Sequence, residues 1–325
     1  MKQNASYTSR TMLFSIVILL LAPVSSSAQQ YPTRPVSLLV AAGPGGTGDL
    51  TLRPLASKAE KFLGQPIAVS NNGAGGGSVA LGQAAREKPD GYHLLGTVAM
   101  HLVVFPQVRQ VPYDPDDFVP IVHYGAPVAG IAARTDAPFK SLKELVEYAK
   151  KNPGKVSYSV GGVDSPNHLV MEYIARKEGI QWTMIPFQGG APALTALMGA
   201  HVNVTSGMVT SWIPHAKEGS LRILTTLGRK RSEILPDVPT LSESGYGIVY
   251  EDQCLVVAPK GVPSAIVRKL EEAFRKGTED VEFVKVMAKM GMEVDYGNSE
   301  DAKNYLKQTH GVFGNMIQEV RGTKR

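Results

Sequence analysis

Twelve residues constrain this chain more than any others. The apolar run Leu38-Leu39-Val40-Ala41-Ala42 passes directly into Gly43-Pro44-Gly45-Gly46-Thr47-Gly48-Asp49. A short buried strand that ends in a glycine turn and reopens as a helix near Asp49 is the repeating unit of an α/β sheet. Backbone N–H groups in such a turn point outward, and the dipole of the following helix adds positive potential. The turn is therefore suited to an anion.

Gly43-x-Gly45-x-x-Gly48 also fits the dinucleotide fingerprint. That reading needs a carboxylate at the end of the next strand for the ribose hydroxyls. The next strand ends instead in Ser70-Asn71-Asn72. An anion-binding turn is the preferred reading, and a tight turn with no ligand is the plain alternative.

Strands and helices alternate along the rest of the chain. Val36–Ala42, Ile67–Ser70, Tyr92–Thr97, Val156–Val160, Met184–Pro186, Val202–Val204 and Leu221–Thr226 read as short buried strands. Helical spacing runs through Leu50–Leu63, with Gly64 as its stop. Ser141-Leu142-Lys143-Glu144 is a capping box for a helix to about Lys151. Further helices are expected over Ser165–Glu178, Pro192–Met198, Ser264–Lys276 and Val281–Gly291. The alternation predicts mainly parallel sheets with helices on both faces. Val128–Ala133 and Leu255–Ala258 are apolar stretches that join α/β segments. If both cross between lobes, residues 29–127 and 253–325 make one lobe and 128–252 the other, with a ligand cleft at the strand ends between them.

The first residues read as an export signal. Lys2 and Arg10 give a basic start, Met12 to Val24 an apolar core, and Ser26-Ser27-Ala28 a small-residue exit. The apolar core is short for a membrane span. Cleavage after Ala28 leaves 297 residues, enough for two lobes. Cys254 is the only cysteine, so no internal disulfide forms and Ala28 is not followed by a lipoprotein cysteine. Export without disulfides fits a periplasmic protein. Net charge is +5, but the basic residues are scattered, the densest clusters being Arg229-Lys230-Arg231 and Lys324-Arg325. No aromatic-interleaved basic stripe points to nucleic acid.

Signatures of catalysis are missing. There is no Walker A lysine, no Gly-x-Ser-x-Gly elbow and no His-Glu-x-x-His, and the seven histidines are dispersed. Neither metal nor cofactor is expected. Three more small-residue turns stand at strand ends: Asn71–Ser78, Val160–Ser165 and Phe187–Ala191. Each is small enough for backbone to approach a ligand.

Taken in order, the motifs resemble one family: the Bug-type periplasmic solute receptors of tripartite tricarboxylate transporters. The resemblance rests on Tyr31-Pro32-Thr33-Arg34-Pro35, Gly43 to Asp49 with Arg53, Gly73-Ala74-Gly75-Gly76 and Lys88-Pro89-Asp90-Gly91-Tyr92. It continues through Pro112-Tyr113-Asp114-Pro115, Asn152-Pro153-Gly154-Lys155, His168-Leu169 and Leu235-Pro236-Asp237-Val238-Pro239-Thr240. The resemblance implies a two-lobed clamp of the periplasmic binding protein type (type II-like). It implies a small organic carboxylate as ligand, held between the first loop and a loop of the second lobe, and delivery to membrane permease subunits. The protein is expected to be a monomer.

By position, the implied ligand loops are Gly45, Gly46, Thr47 and Asp49, and Gly161, Gly162 and Ser165. His168 braces the second loop, Gly189 and Gly190 form a further wall, and Thr205 lies nearby. His101, in the turn after the third strand, either meets a second carboxylate or a ring, or is exposed. Val160, Asp164 and Asp252-Gln253 depart from the family pattern and leave the particular acid open. Two rival functions share the cleft: a ligand-sensing partner of a membrane kinase, and an exported enzyme.

Overall fold

The computed structural model describes residues 31–322; the export signal and Lys324-Arg325 lie outside the described residues. The chain opens with β1 (Val36–Val40), α1 (Thr47–Leu63), β2 (Ile67–Asn71), α2 (Ser78–Ala84) and β3 (His93–Val98). Next come α3 (Ala99–Val103), α4 (Phe105–Val108) and β4 (Phe118–His123). Then follow β5 (Ala129–Arg134), α5 (Leu142–Lys151), β6 (Val156–Val160), α6 (Pro166–Glu178), β7 (Trp182–Pro186), α7 (Gly190–Met198), β8 (Val204–Met208), α8 (Ile213–Lys217) and β9 (Leu221–Thr226). The chain returns through β10 (Cys254–Pro259), α9 (Ser264–Thr278), α10 (Val281–Lys289) and α11 (Ser299–Arg321).

The strands make two five-stranded sheets, ordered β2-β1-β3-β10-β4 and β7-β6-β8-β5-β9. Both are mixed rather than mainly parallel. β10 runs antiparallel to β3 and β4, and β5 antiparallel to β8 and β9. The reason is the crossing itself: a strand arriving from the other sheet enters from the cleft end and must run backward. Every residue of β10 is buried, Cys254 included, as expected of a strand covered on both faces.

Local chemistry explains most element ends. α1 begins at Thr47, earlier than the apolar periodicity implied, because the glycine turn feeds straight into its first turn. It stops at Gly64, whose left-handed φ of 78° lets its N–H reach the Glu60 carbonyl at 2.9 Å. Only half of the expected capping box forms at α5. Ser141 Oγ accepts the Glu144 N–H at 3.2 Å, while Glu144 Oε2 accepts from the Lys140 N–H at 2.8 Å.

The first crossing occupies only residues 124–128, between β4 and β5. Val128–Ala133 is thus mostly β5 itself, and Leu255–Ala258 is an interior strand of the first sheet. Residues 292–297 run alongside that crossing, with antiparallel bridges His123–Gly297 and Pro127–Met292. Helix α11 had no counterpart in the sequence reading. Its Ala302 packs under Leu255 and Val257, whereas Phe313, Met316 and Ile317 pack with Leu169 and Val170 of α6. Among the described residues no helix is long and apolar enough to cross a membrane.

Candidate functional site

The carboxyl ends of β1, β3 and β4 lie on one side of the first sheet, since β4 runs parallel to β3 through the intervening antiparallel β10. Ala129, the first residue of β5, pairs with Met208 at the carboxyl end of β8. Residues 123 and 129 are at most about 22 Å apart along the chain. Both sets of strand ends, and the glycine loops they carry, therefore flank the same crossing.

In the first loop, two of the expected donors are already occupied. The Gly45 N–H donates to Asp49 Oδ2 at 3.0 Å, and the Gly46 N–H to the Gly43 carbonyl at 3.1 Å. The Asp49 carboxylate also takes Arg53 at 2.6 Å and Asn71 Nδ2 at 3.1 Å. The Gly45 N–H, aided by Arg53 and Asn71, holds its pKa below the usual aspartate value. Asp49 thus shapes the loop and ties it to the end of β2. The N–H groups of Thr47, Gly48 and Asp49, the first turn of α1, meet no acceptor among the described residues.

Thr47 and Gly48 line a cavity of about 340 Å³, together with Gly43, the second loop (Gly73, Gly76, Gly77), and Thr97, Met100, His101 and Tyr124. Its floor is His101, which is only 3% exposed, so the exposed alternative is ruled out. The residue stands in α3 rather than in a turn. Nδ1 shares a hydrogen bond with Thr97 Oγ1 at 2.8 Å, and Nε2 has no partner among the described residues. Burial pushes the imidazole pKa down to about 4, so it is neutral at neutral pH. Glycine at 77 is required twice over. Its φ is +92°, and a Cβ there would sit 2.6 Å from the Ala41 carbonyl oxygen and 2.7 Å from His101 Cε1.

Two more residues stand near this cavity: Asp252, which the sequence marks as a departure from the family pattern, and Arg109, which it does not single out. The Asp252 carboxylate accepts the Met100 N–H at 2.9 Å and so closes the start of α3. Burial raises its pKa to about 6. Arg109 stacks on Phe105 with its guanidinium carbon 3.5 Å from the ring centroid and donates to Ser78 Oγ at 3.1 Å. It has no carboxylate partner among the described residues and reaches to Gly76. An isolated cation in the stretch Val108-Arg109-Gln110-Val111 was the available signal for it.

The second lobe carries its own set. Ser165 caps α6 by accepting the His168 N–H at 3.3 Å. His168 Nδ1 in turn accepts the Asp164 N–H at 3.1 Å. Asp164 has a φ of +59° and pairs with Arg321 of α11 at 2.7 Å. Gly161 abuts Gly189, whose N–H reaches the Gly161 carbonyl at 3.0 Å. The Gly162 and Gly190 N–H groups have no acceptor among the described residues. Thr205 is 1% exposed and bonded to Ser159 Oγ at 2.9 Å, which makes it an interior hydroxyl of the sheet. None of Gly161, Gly162, Ser165, His168, Gly189, Gly190 or Thr205 lines the His101 cavity, which belongs to the first lobe alone.

Both glycine loops thus offer uncharged backbone N–H donors: Thr47, Gly48 and Asp49 on one lobe, Gly162 and Gly190 on the other. Among the described residues no group of three His, Cys, Asp or Glu is placed to hold a metal.

Two α/β lobes, with glycine loops at the strand ends that flank the crossing between them, define a periplasmic-binding-protein architecture. The chain belongs to the tripartite tricarboxylate transporter family receptors, whose model matches residues 51–321. It is 37% identical over 288 residues to a Cupriavidus necator UPF0065 protein from the gbd 5' region, covering 88% of each chain. It is similar to the periplasmic binding protein BugD (32% identity, TM-score 0.73, 90% of this chain and 99% of that one). It is also similar to an R. palustris protein solved with adipate (25% identity, TM-score 0.75, 90% and 98%).

Proposed function

We propose that this protein is an exported periplasmic receptor that captures a small organic carboxylate and delivers it to a tripartite tricarboxylate-type permease. The observation that carries the reading is the open first turn of α1: N–H groups of Thr47 to Asp49, without acceptors among the described residues, beside a cavity floored by neutral His101. A carboxylate placed there gains charge-assisted bonds from donors that are already ordered, so little entropy opposes binding. Gly162 and Gly190 supply matching donors on the other lobe. Closure about residues 124–128 brings the two sets onto one ligand, and the ligand-bound population is what a permease reads. The adipate held by the R. palustris relative is of the same ligand class.

A thermal-shift screen of dicarboxylates, tricarboxylates, aromatic acids and amino acids tests the reading. A ligand at one hundred times its Kd stabilises by about 2.7 kcal/mol, a readily measured rise in Tm. If no member of the panel raises Tm, the capture reading fails. Transport by cells expressing the permease, with and without this protein, separates delivery from sensing.

A further inference from the structure

A second cavity, of about 490 Å³, lies at the edge where the chain crosses between the sheets. Its walls come from both lobes: His123, Gln253 and Asp295 on one side, Ala129 and the loop at Gly228–Ser232 on the other. No residue of the glycine loops lines it, so it is distinct from the His101 cavity.

Three side chains in its wall, His123, Tyr250 and Gln253, are buried with an atom left over. His123 is 7% exposed and Gln253 2% exposed, and neither His123 Nδ1 nor Gln253 Oε1 has a hydrogen-bond partner among the described residues. Gln253 Nε2 donates to Asp295 Oδ2 at 2.7 Å, which fixes the amide and leaves Oε1, an acceptor only, pointing elsewhere. A buried acceptor with no donor is costly, and a ligand N–H relieves that cost.

The charges around it lean the same way. Lys230 is held by Glu293 at 3.4 Å, and Arg231 by Glu243 at 3.0 Å. Glu251 and Asp295 line the cavity with no cationic side-chain partner among the described residues. Arg229 is the one wall cation without a carboxylate partner there, and its backbone N–H already donates to Glu251 Oε1 at 3.0 Å. The wall's carboxylates, Glu251, Glu293, Asp295 and Asp301, outnumber its cations, Arg229, Lys230 and Arg231. No cluster among the described residues suits a metal ion instead.

We propose that this hinge cavity binds a small organic amine, its ammonium group donating to Gln253 Oε1 and to the carboxylates of Glu251 and Asp295. The ligand is opposite in charge to that of the first cavity. An amine without a carboxyl group therefore reports on this site alone.

Calorimetric titration of the full protein with putrescine and with agmatine at low ionic strength is the test, with glycerol as the neutral comparison. The expected result is one-site binding of an amine that Gln253→Met and Glu251→Gln each weaken roughly tenfold or more. Both variants keep the parent's thermal response to the carboxylate panel. Should Gln253→Met fail to fold by circular dichroism, Asp295→Asn replaces it with the same expectation, since its amide oxygen still accepts from Gln253 Nε2. Absence of binding at millimolar amine overturns the proposal. So does an affinity that the variants leave unchanged, or glycerol binding as well as the amines.

Discussion

Asp164 and His168 hold each other across one turn: the Asp164 N–H donates to His168 Nδ1 at 3.1 Å. That bond exists only while Nδ1 carries no proton. Burial keeps the His168 pKa below its ordinary value of 6.5. The folded protein thus binds this proton less readily than the unfolded chain does, and the stabilisation is complete above about pH 6.5 and declines as pH falls below it. His168→Ala is expected to cost about 1 kcal/mol, the worth of one such bond, and to flatten this part of the pH dependence. Urea melts of both proteins at pH 5 and pH 8 check it. Equal destabilisation at both values would remove the bond from the explanation.

His101 and Asp252 give opposite slopes. His101 titrates near 4 when folded against 6.5 unfolded, so its contribution is lost as pH falls through that window. Asp252 titrates near 6 folded against 3.8 unfolded, so its contribution is full at low pH and lost as pH rises through about 6. Between these values the two offset each other. Asp252→Asn should therefore make stability fall more steeply on acidification than in the parent, by on the order of 2–3 kcal/mol across the window. His101→Gln should tilt the curve the other way. Melting curves from pH 4 to pH 7.5 measure both slopes, and parallel curves for all three proteins would refute the assignment.

Much of the fold is legible in the sequence where apolar runs are short and bounded by turn residues. β6 and β9 fall on the residues that periodicity picks out. β4 does not, because Pro120 interrupts its apolar run; the structure tolerates that proline by placing the strand at the sheet's edge. α11 is obscured by Gly311 and Gly314, poor helix formers, in a helix of which one end packs on each lobe. Strand order depends on long-range packing, so the antiparallel β10 between β3 and β4 of the first sheet is invisible locally. The site divides similarly. The glycine turns announce themselves, but whether an N–H is open depends on partners such as Asp49, whose carboxylate takes the Gly45 donor. The burial of His101 follows from packing around Gly77 and Tyr113, whose hydroxyl donates to the His101 carbonyl at 2.5 Å.

Gly77 is expected to tolerate nothing larger. Alanine there meets both a left-handed φ and contacts of 2.6 and 2.7 Å with backbone and a buried ring. Strained φ and overpacking each cost about 1–3 kcal/mol, so Gly77→Ala should lose roughly 3 kcal/mol or more. Thermal or denaturant unfolding gives the number, and a loss under about 1 kcal/mol would mean the loop relaxes freely.

Gly46 separates binding from folding. Its φ of −71° suits any residue, and a Cβ would lie 3.2 Å from the Gly43 carbonyl oxygen and 3.7 Å from Ala42 Cβ, tight but short of a clash. The fold should therefore survive Gly46→Leu with a cost of about 1 kcal/mol. The leucine side chain, however, stands at the mouth of the first turn of α1, where an incoming anion would meet the Thr47 to Asp49 donors. The carboxylate-induced rise in Tm should disappear while the far-ultraviolet dichroism stays native. A variant that binds as tightly as the parent would mean the anion is held elsewhere in the cleft, and the open first turn of α1 would need another explanation.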